Sequence, residues 1–182
     1  MKLAAAVMMA VVLAGRAQGK SDFGRQVTVY LVDPAIVPQA VSGHAQACAS
    51  ELFARIGVKI HWKVGNPPSS ESRALVIEFA TNTPESLRPD ALGYSLPYEG
   101  IHIRIFWDRV QAAPAPQKLL GYVMVHEITH ILQGVPRHAP EGIMKAHWNA
   151  YDQFAIADRT LRFTVDDVEL IYNGMDARDA SR

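Results

Sequence analysis

In the stretch VMVHEITHILQGVPRHAPEGIMKAHW, residues 123–148, His126 and His130 stand four apart with Glu127 beside the first of them. Residues at this spacing on an α-helix differ by about 40° in direction and about 6 Å in height, so the two imidazoles face the same way and can share one ion. Zinc suits such a pair. It accepts neutral imidazole nitrogens at about 2.0–2.1 Å, and a catalytic site keeps three protein ligands and one open position for water. Glu127 projects about 100° away from His126, so it borders that water without binding the ion. A carboxylate placed there acts as general base and then as proton donor, while the metal polarises the attacked carbonyl.

Three ligands require one more residue, and the downstream candidates are His138, His147, Glu141 and Asp152. From His130 to Gly134 a continuing helix carries the chain about 6 Å from the level of the metal. The four residues from Gly134 to His138 span up to about 13 Å when extended, enough to turn back. Gly134 suits the left-handed conformation that ends helices, and Pro136 biases Val135 out of the helical region. His138 is therefore the preferred third ligand, with His147 and the two carboxylates as alternatives.

HEITH followed by EGIMKAHW resembles the metzincin clan of zinc metallopeptidases, whose motif is HExxHxxGxxH followed by a tight turn holding a methionine under the metal. The segment also looks like a group of small secreted bacterial proteins classed with the metallopeptidases, in which a histidine is followed closely by Gly-Ile-Met. The clan's glycine position is Gln133 here and its third histidine position is Pro136, whereas Gly134 and His138 come one and two residues late. The resemblance implies Zn2+ on His126, His130 and His138, Glu127 as the catalytic carboxylate, and Met144 as an apolar floor beneath the histidines. It also implies an antiparallel edge strand above the cleft, which residues 91–98 or nearby supply by their order in the chain. Trp148, Tyr151 and Tyr94 are further candidates for the cleft wall or an oxyanion contact, with ordinary packing the preferred reading of each.

The elements that must position these residues are legible from patterning. Residues 25–33 (RQVTVYLVD), 58–64 (VKIHWKV) and 74–81 (ALVIEFAT) read as strands rich in β-branched and aromatic residues. A helix is expected from about Pro38 to Arg55, closed by Gly57. A short strand lies in ALGYSL, residues 91–96. In residues 100–110, Ile101, Ile103, Ile105 and Trp107 alternate with His102, Arg104, Phe106 and Asp108, as in a strand with one buried face. The motif helix runs from about Lys118 to Gly134, its apolar stripe formed by Leu120, Met124, Ile128 and Ile131. A final helix is expected in TVDDVELIYNGM, residues 164–175, where Thr164 and Asp167 can form an N-terminal cap. This order predicts an α+β (or α/β) fold with a mixed sheet.

Composition narrows the class. The chain has 182 residues, 49% of them hydrophobic, which suits one globular domain. Residues 1–17 combine a basic start at Lys2, an apolar run from Leu3 to Ala14 and small residues at Gly15 and Ala17, the pattern of a cleaved secretory signal. The run is short of the roughly 20 residues that span a bilayer, so no stable membrane insertion is expected. The expected product is a secreted or periplasmic metallopeptidase domain, residues 18–182. With 18 basic and 18 acidic side chains there is no basic excess of the kind nucleic-acid binders carry. Cys48 is the one cysteine, so no intramolecular disulfide forms, and it reads as a buried inert thiol.

The function expected from these residues is a monomeric zinc-dependent endopeptidase acting on peptide or protein substrates. Two alternatives stand beside it: a catalytically inactive secreted binding protein with a structural zinc site, and a zinc amidase acting on a nonpeptide or cell-wall substrate.

Overall fold

The structure, a computed structural model, describes residues 24–180. The secretory-signal reading of residues 1–17 lies outside the described residues. No helix among the described residues is long and apolar enough to cross a membrane.

Five strands, β1 (Arg25–Val32), β2 (Val58–Val64), β3 (Leu75–Ala80), β4 (Gly93–Ser95) and β5 (His102–Phe106), form one sheet in the order β2-β1-β3-β5-β4. Neighbours are parallel except at the edge, where β4 runs antiparallel to β5. The helices are α1 (Gln39–Ala54), α2 (Trp107–Val110), α3 (Pro116–Gln133), α4 (Ala150–Ala157) and α5 (Val165–Ala180). This is the mixed α/β architecture that the pattern of elements predicts.

The sheet's inner face is continuous because the register aligns apolar residues across it: Val29 beside Leu75, Ile77 beside Ile103, Phe79 beside Ile105. All six are buried, against Ala45, Cys48, Ala49, Leu52 and Phe53 of α1 and the apolar residues of α3. Each fully buried aliphatic side chain of this kind contributes about 1.5–3 kcal/mol. The α1–α3 crossing is close because Gly121 lacks a side chain: a Cβ there would lie 2.9 Å from Cys48 Cβ and 3.1 Å from the Ala45 carbonyl oxygen. Cys48 is buried at this crossing, and burial raises its thiol pKa, as befits an unreactive core residue. Parallel sheets usually carry helices on both faces. Here the outer face instead bears polar cross-strand pairs, among them Gln26 with His61 at 3.0 Å and Glu78 with Arg104 at 2.9 Å.

Three local features differ from the sequence expectation. The strand expected through residue 110 ends at Phe106, and Trp107 opens α2, where the Asp108 carboxylate accepts from the Thr83 amide at 3.1 Å and its hydroxyl at 2.8 Å. That tether turns the chain off the sheet. The motif helix begins earlier, with Pro116 in its first turn, where a missing N–H costs nothing. The helix α4 has no counterpart in the expectation. It is opened by a capping box in which the Asn149 side chain accepts from the Asp152 amide and the Asp152 carboxylate from the Asn149 amide.

Candidate metal centre

Helix α3 carries the motif through the middle of the molecule and is buried on nearly every side. Leu120, Met124, Ile128 and Ile131 pack into the core, and the histidine side is covered as well, with Leu119, Tyr122 and Gln133 buried. The helix stops at Gly134, whose φ of 70° and ψ of 13° are left-handed and whose amide reaches the His130 and Ile131 carbonyls. From there the chain doubles back. Arg137 Nη1 bonds Asp167 Oδ1 at 2.8 Å, and that carboxylate, fully buried, belongs to the cap of α5. The Thr164 amide donates to Asp167 Oδ2 at 3.1 Å while the Asp167 amide donates to Thr164 Oγ1 at 3.2 Å. The loop that presents His138 is thus fastened to the head of the last helix.

This return brings His138 beside His126 and His130. One ring nitrogen from each lies within 4.8 Å of the others, and the three make a group able to hold a metal ion among the described residues. The centroids of His126 and His130 are 4.7 Å apart, and those of His130 and His138 are 4.9 Å apart.

Hydrogen bonding fixes which nitrogens face inward. His126 Nδ1 meets the Ile143 carbonyl at 2.9 Å and His130 Nδ1 meets the Val135 carbonyl at 3.3 Å. A carbonyl only accepts, so each Nδ1 carries the proton and each Nε2 presents a lone pair. The two Nε2 atoms face one another 3.1 Å apart. Two lone pairs at that distance repel unless a cation sits between them, and burial works against a proton in that role. Burial is the largest cause holding His126 down at about 3 and His130 at about 4. His138 is also lowered, by burial and then by His147 and Arg88. The donor set is therefore neutral imidazole throughout, which is the form that binds a metal.

The turn that follows supports the first histidine. The Ala139 amide bonds the Met144 carbonyl at 2.8 Å, and the Ile143 amide bonds the Arg162 carbonyl at 2.9 Å. Ile143 and Met144 are fully buried. Gly142 has a φ of 76°, and a Cβ there would lie 2.5 Å from the Arg162 carbonyl oxygen, so this turn admits no side chain at that position.

Glu127 is 7% exposed and lies under the edge strand. Ser95 Oγ donates to its Oε2 at 2.8 Å. Burial pushes the carboxyl up to about 7, and the Ser95 bond pulls the other way. Gly93 lies against it too: a Cβ there would come within 3.3 Å of Glu127 Cγ and Oε1 and 2.9 Å of the Arg104 carbonyl oxygen. In the β4–β5 ladder the Leu96 amide bonds the His102 carbonyl and the Phe106 amide bonds the Leu92 carbonyl. Leu92 and Leu96, which flank β4, and Tyr94 within it thus turn their backbone groups to β5, and Gly93 and Ser95 turn theirs to the open edge. Arg109 Nη1 holds the chain entering β4 through the Arg88 and Ala91 carbonyls, the latter at 2.7 Å.

The other candidates fall outside the triad. His147 is exposed, with Nδ1 2.5 Å from Asp90 and Nε2 3.3 Å from Arg88. Asp152 caps α4 and binds Lys145 at 2.6 Å, and Glu141 is exposed. Trp148 packs edge-on against His126 and Tyr122, at centroid distances of 5.6 and 6.4 Å, and its Nε1 is buried with no partner among the described residues. Tyr94 is part exposed on the outer side of β4. Tyr151 is 85% exposed, so the packing expected for it is not found. Ser95, Gly93, Arg137 and Asp167 are site residues that the motif reading missed. The capping pattern at 164–167 marked Asp167, but nothing in the sequence tied it to the site.

No family model and no curated protein matches this chain. Among solved structures it is similar to the crystal structure of archaemetzincin from Methanopyrus kandleri, with a TM-score of 0.58 and 15% identity over 84% of this chain and 97% of that one. The likeness is one of fold. It spans nearly the whole of the archaemetzincin chain.

Proposed function

We propose that this protein is a secreted, monomeric, zinc-dependent endopeptidase in which His126, His130 and His138 bind Zn2+ and Glu127 is the catalytic carboxylate. The observation that carries the reading is the pair of Nε2 lone pairs 3.1 Å apart on neutral, buried imidazoles, with a third imidazole within 4.8 Å. Two ligands at zinc–nitrogen distances in a tetrahedron stand about 3.3 Å apart, close to that spacing. The fold likeness to archaemetzincin supports the same class.

Zinc bound there supplies a Lewis acid for the scissile carbonyl and lowers the pKa of a water toward about 7. The protein's own residues do the rest. Glu127, with Oε2 held by the Ser95 hydroxyl, accepts the water's proton and then delivers it to the leaving amine. Gly93 and Ser95 offer backbone donors and acceptors to an extended peptide laid along the edge of β4, a mode that gives affinity with little sequence preference. A structural zinc staple needs a fourth protein ligand, whereas the group among the described residues has three, which leaves a position for water.

The test is proteolysis of a peptide library and of cell-wall digests by the zinc-loaded protein and by Glu127→Gln. Peptide cleavage that falls about 100- to 10,000-fold in the variant, with zinc still bound, is the expected result. Unchanged cleavage in Glu127→Gln, or activity confined to the cell-wall digest, contradicts it.

A further inference from the structure

Ser95 stands where two requirements of the site meet. Its hydroxyl bonds the Glu127 carboxylate at 2.8 Å, and its backbone lies on the open edge of the sheet. Glu127 is boxed on that side. The bare Cα of Gly93 faces its Cγ and Oε1, and Ser95, two residues on and therefore on the same face of β4, holds Oε2. The terminal torsion of a glutamate is broad, so burial alone does not fix the plane of its carboxylate. A directed hydrogen bond does.

We propose that Ser95 is a positioning residue for the catalytic carboxylate: its hydroxyl sets the plane of Glu127 and ties that carboxylate to the strand on which the substrate pairs. The inference rests on the peptidase reading above. It gives β4 a second task. A peptide that pairs with Gly93 and Ser95 engages the two residues that confine the base, so the register of the scissile bond and the direction of Oε1 are set by one short strand. The strand is itself braced: Arg109 secures the chain entering it, and pairing to β5 secures its far side.

The experiment compares wild type, Ser95→Ala and Ser95→Thr as full-length, zinc-loaded proteins. In steady-state peptide cleavage, Ser95→Ala loses about 10- to 100-fold in kcat with KM little changed, the loss seen when an outer-shell partner of a metal-site group is removed. Ser95→Thr, which keeps the hydroxyl, recovers most of that loss. Zinc affinity is the same in all three. A purely structural role for Ser95 predicts that Thr, with its added methyl, fares no better than Ala. Crystal structures of the zinc-loaded wild type and Ser95→Ala supply a readout that needs no turnover, the expected change being a rotated Glu127 carboxylate above an unchanged metal site. Full kcat in Ser95→Ala, or no recovery in Ser95→Thr, overturns the inference. Should the wild type cleave no peptide, the peptidase reading falls, and the structures decide on Ser95 separately: a carboxylate that stays in place without the serine hydroxyl rules its positioning role out.

Discussion

Among the four residues first suspected of holding the third position on the metal, geometry separates one from the rest. His138 reaches the pair on α3, whereas His147 is engaged by Asp90 and Arg88, and Asp152 by Lys145 and the cap of α4. Substituting His138 with Ala should therefore weaken zinc binding by at least about 100-fold, since outer-shell partners alone account for 10–100-fold. His147→Ala should leave it within a few-fold. Competition with a chromophoric chelator measures both, and equal losses in the two variants would contradict the assignment. The reach of His138 was legible in the sequence because helix geometry, a glycine and a proline bound how far the chain travels between Gly134 and residue 138. The bond from Ser95 to Glu127 was not. A lone serine in a strand carries no spacing signal, and its role follows only from the sheet order that sets β4 over α3.

At the level of elements, the delayed histidine is held by the clasp between Arg137 and Asp167. Asp167 is fully buried, so removing Arg137 leaves a buried carboxylate that keeps the neutral Thr164 amide as a donor but loses its cationic partner. Arg137→Ala should cost about 3 kcal/mol, toward the low end for breaking a buried pair because the arginine is itself part exposed. It should also weaken zinc binding by about 10- to 100-fold, because the clasp fixes the loop that presents His138. Urea titration with and without zinc separates the two effects. Glycines at the two turns differ in a way that denaturation can also read. Gly134 is left-handed with open space around its Cα, so Gly134→Ala should cost only about 1 kcal/mol. Gly142→Ala places a methyl 2.5 Å from a backbone oxygen and should cost several-fold more, or prevent folding of the turn. Most strands and long helices were legible because burial imposes a period of 2.0 or 3.6 on their apolar residues. Helix α4 was not: only Ile156 is buried, and Tyr151 and Phe154 point to solvent, so no apolar stripe marks it and its capping box is the sole signal. The end of β5 was hidden for a different reason. Phe106 and Trp107 continue the run of apolar residues, and both are buried, so hydrophobicity does not show where strand gives way to helix.

For the molecule as a whole, the centre ties together parts of the chain that the sheet alone does not connect. The proposed ligands come from α3 and the loop after it, the turn at Ile143 and Met144 braces His126, and α5 anchors the loop through Asp167. Metal binding should therefore stabilise the fold by linkage, by about 4 kcal/mol at free zinc 1,000-fold above Kd. Calorimetry before and after chelation checks this, and a melting temperature indifferent to zinc would mean that the folded state does not hold zinc, which contradicts the assignment. The central claim is the ligand set, and anomalous diffraction at the zinc edge on crystals of the zinc-loaded protein tests it most directly. One peak about 2.0–2.1 Å from His126 Nε2, His130 Nε2 and a ring nitrogen of His138, with no fourth protein ligand, is the expected result. A peak elsewhere, a centre closed by His147 or Glu141, or no peak at the three histidines would contradict the account.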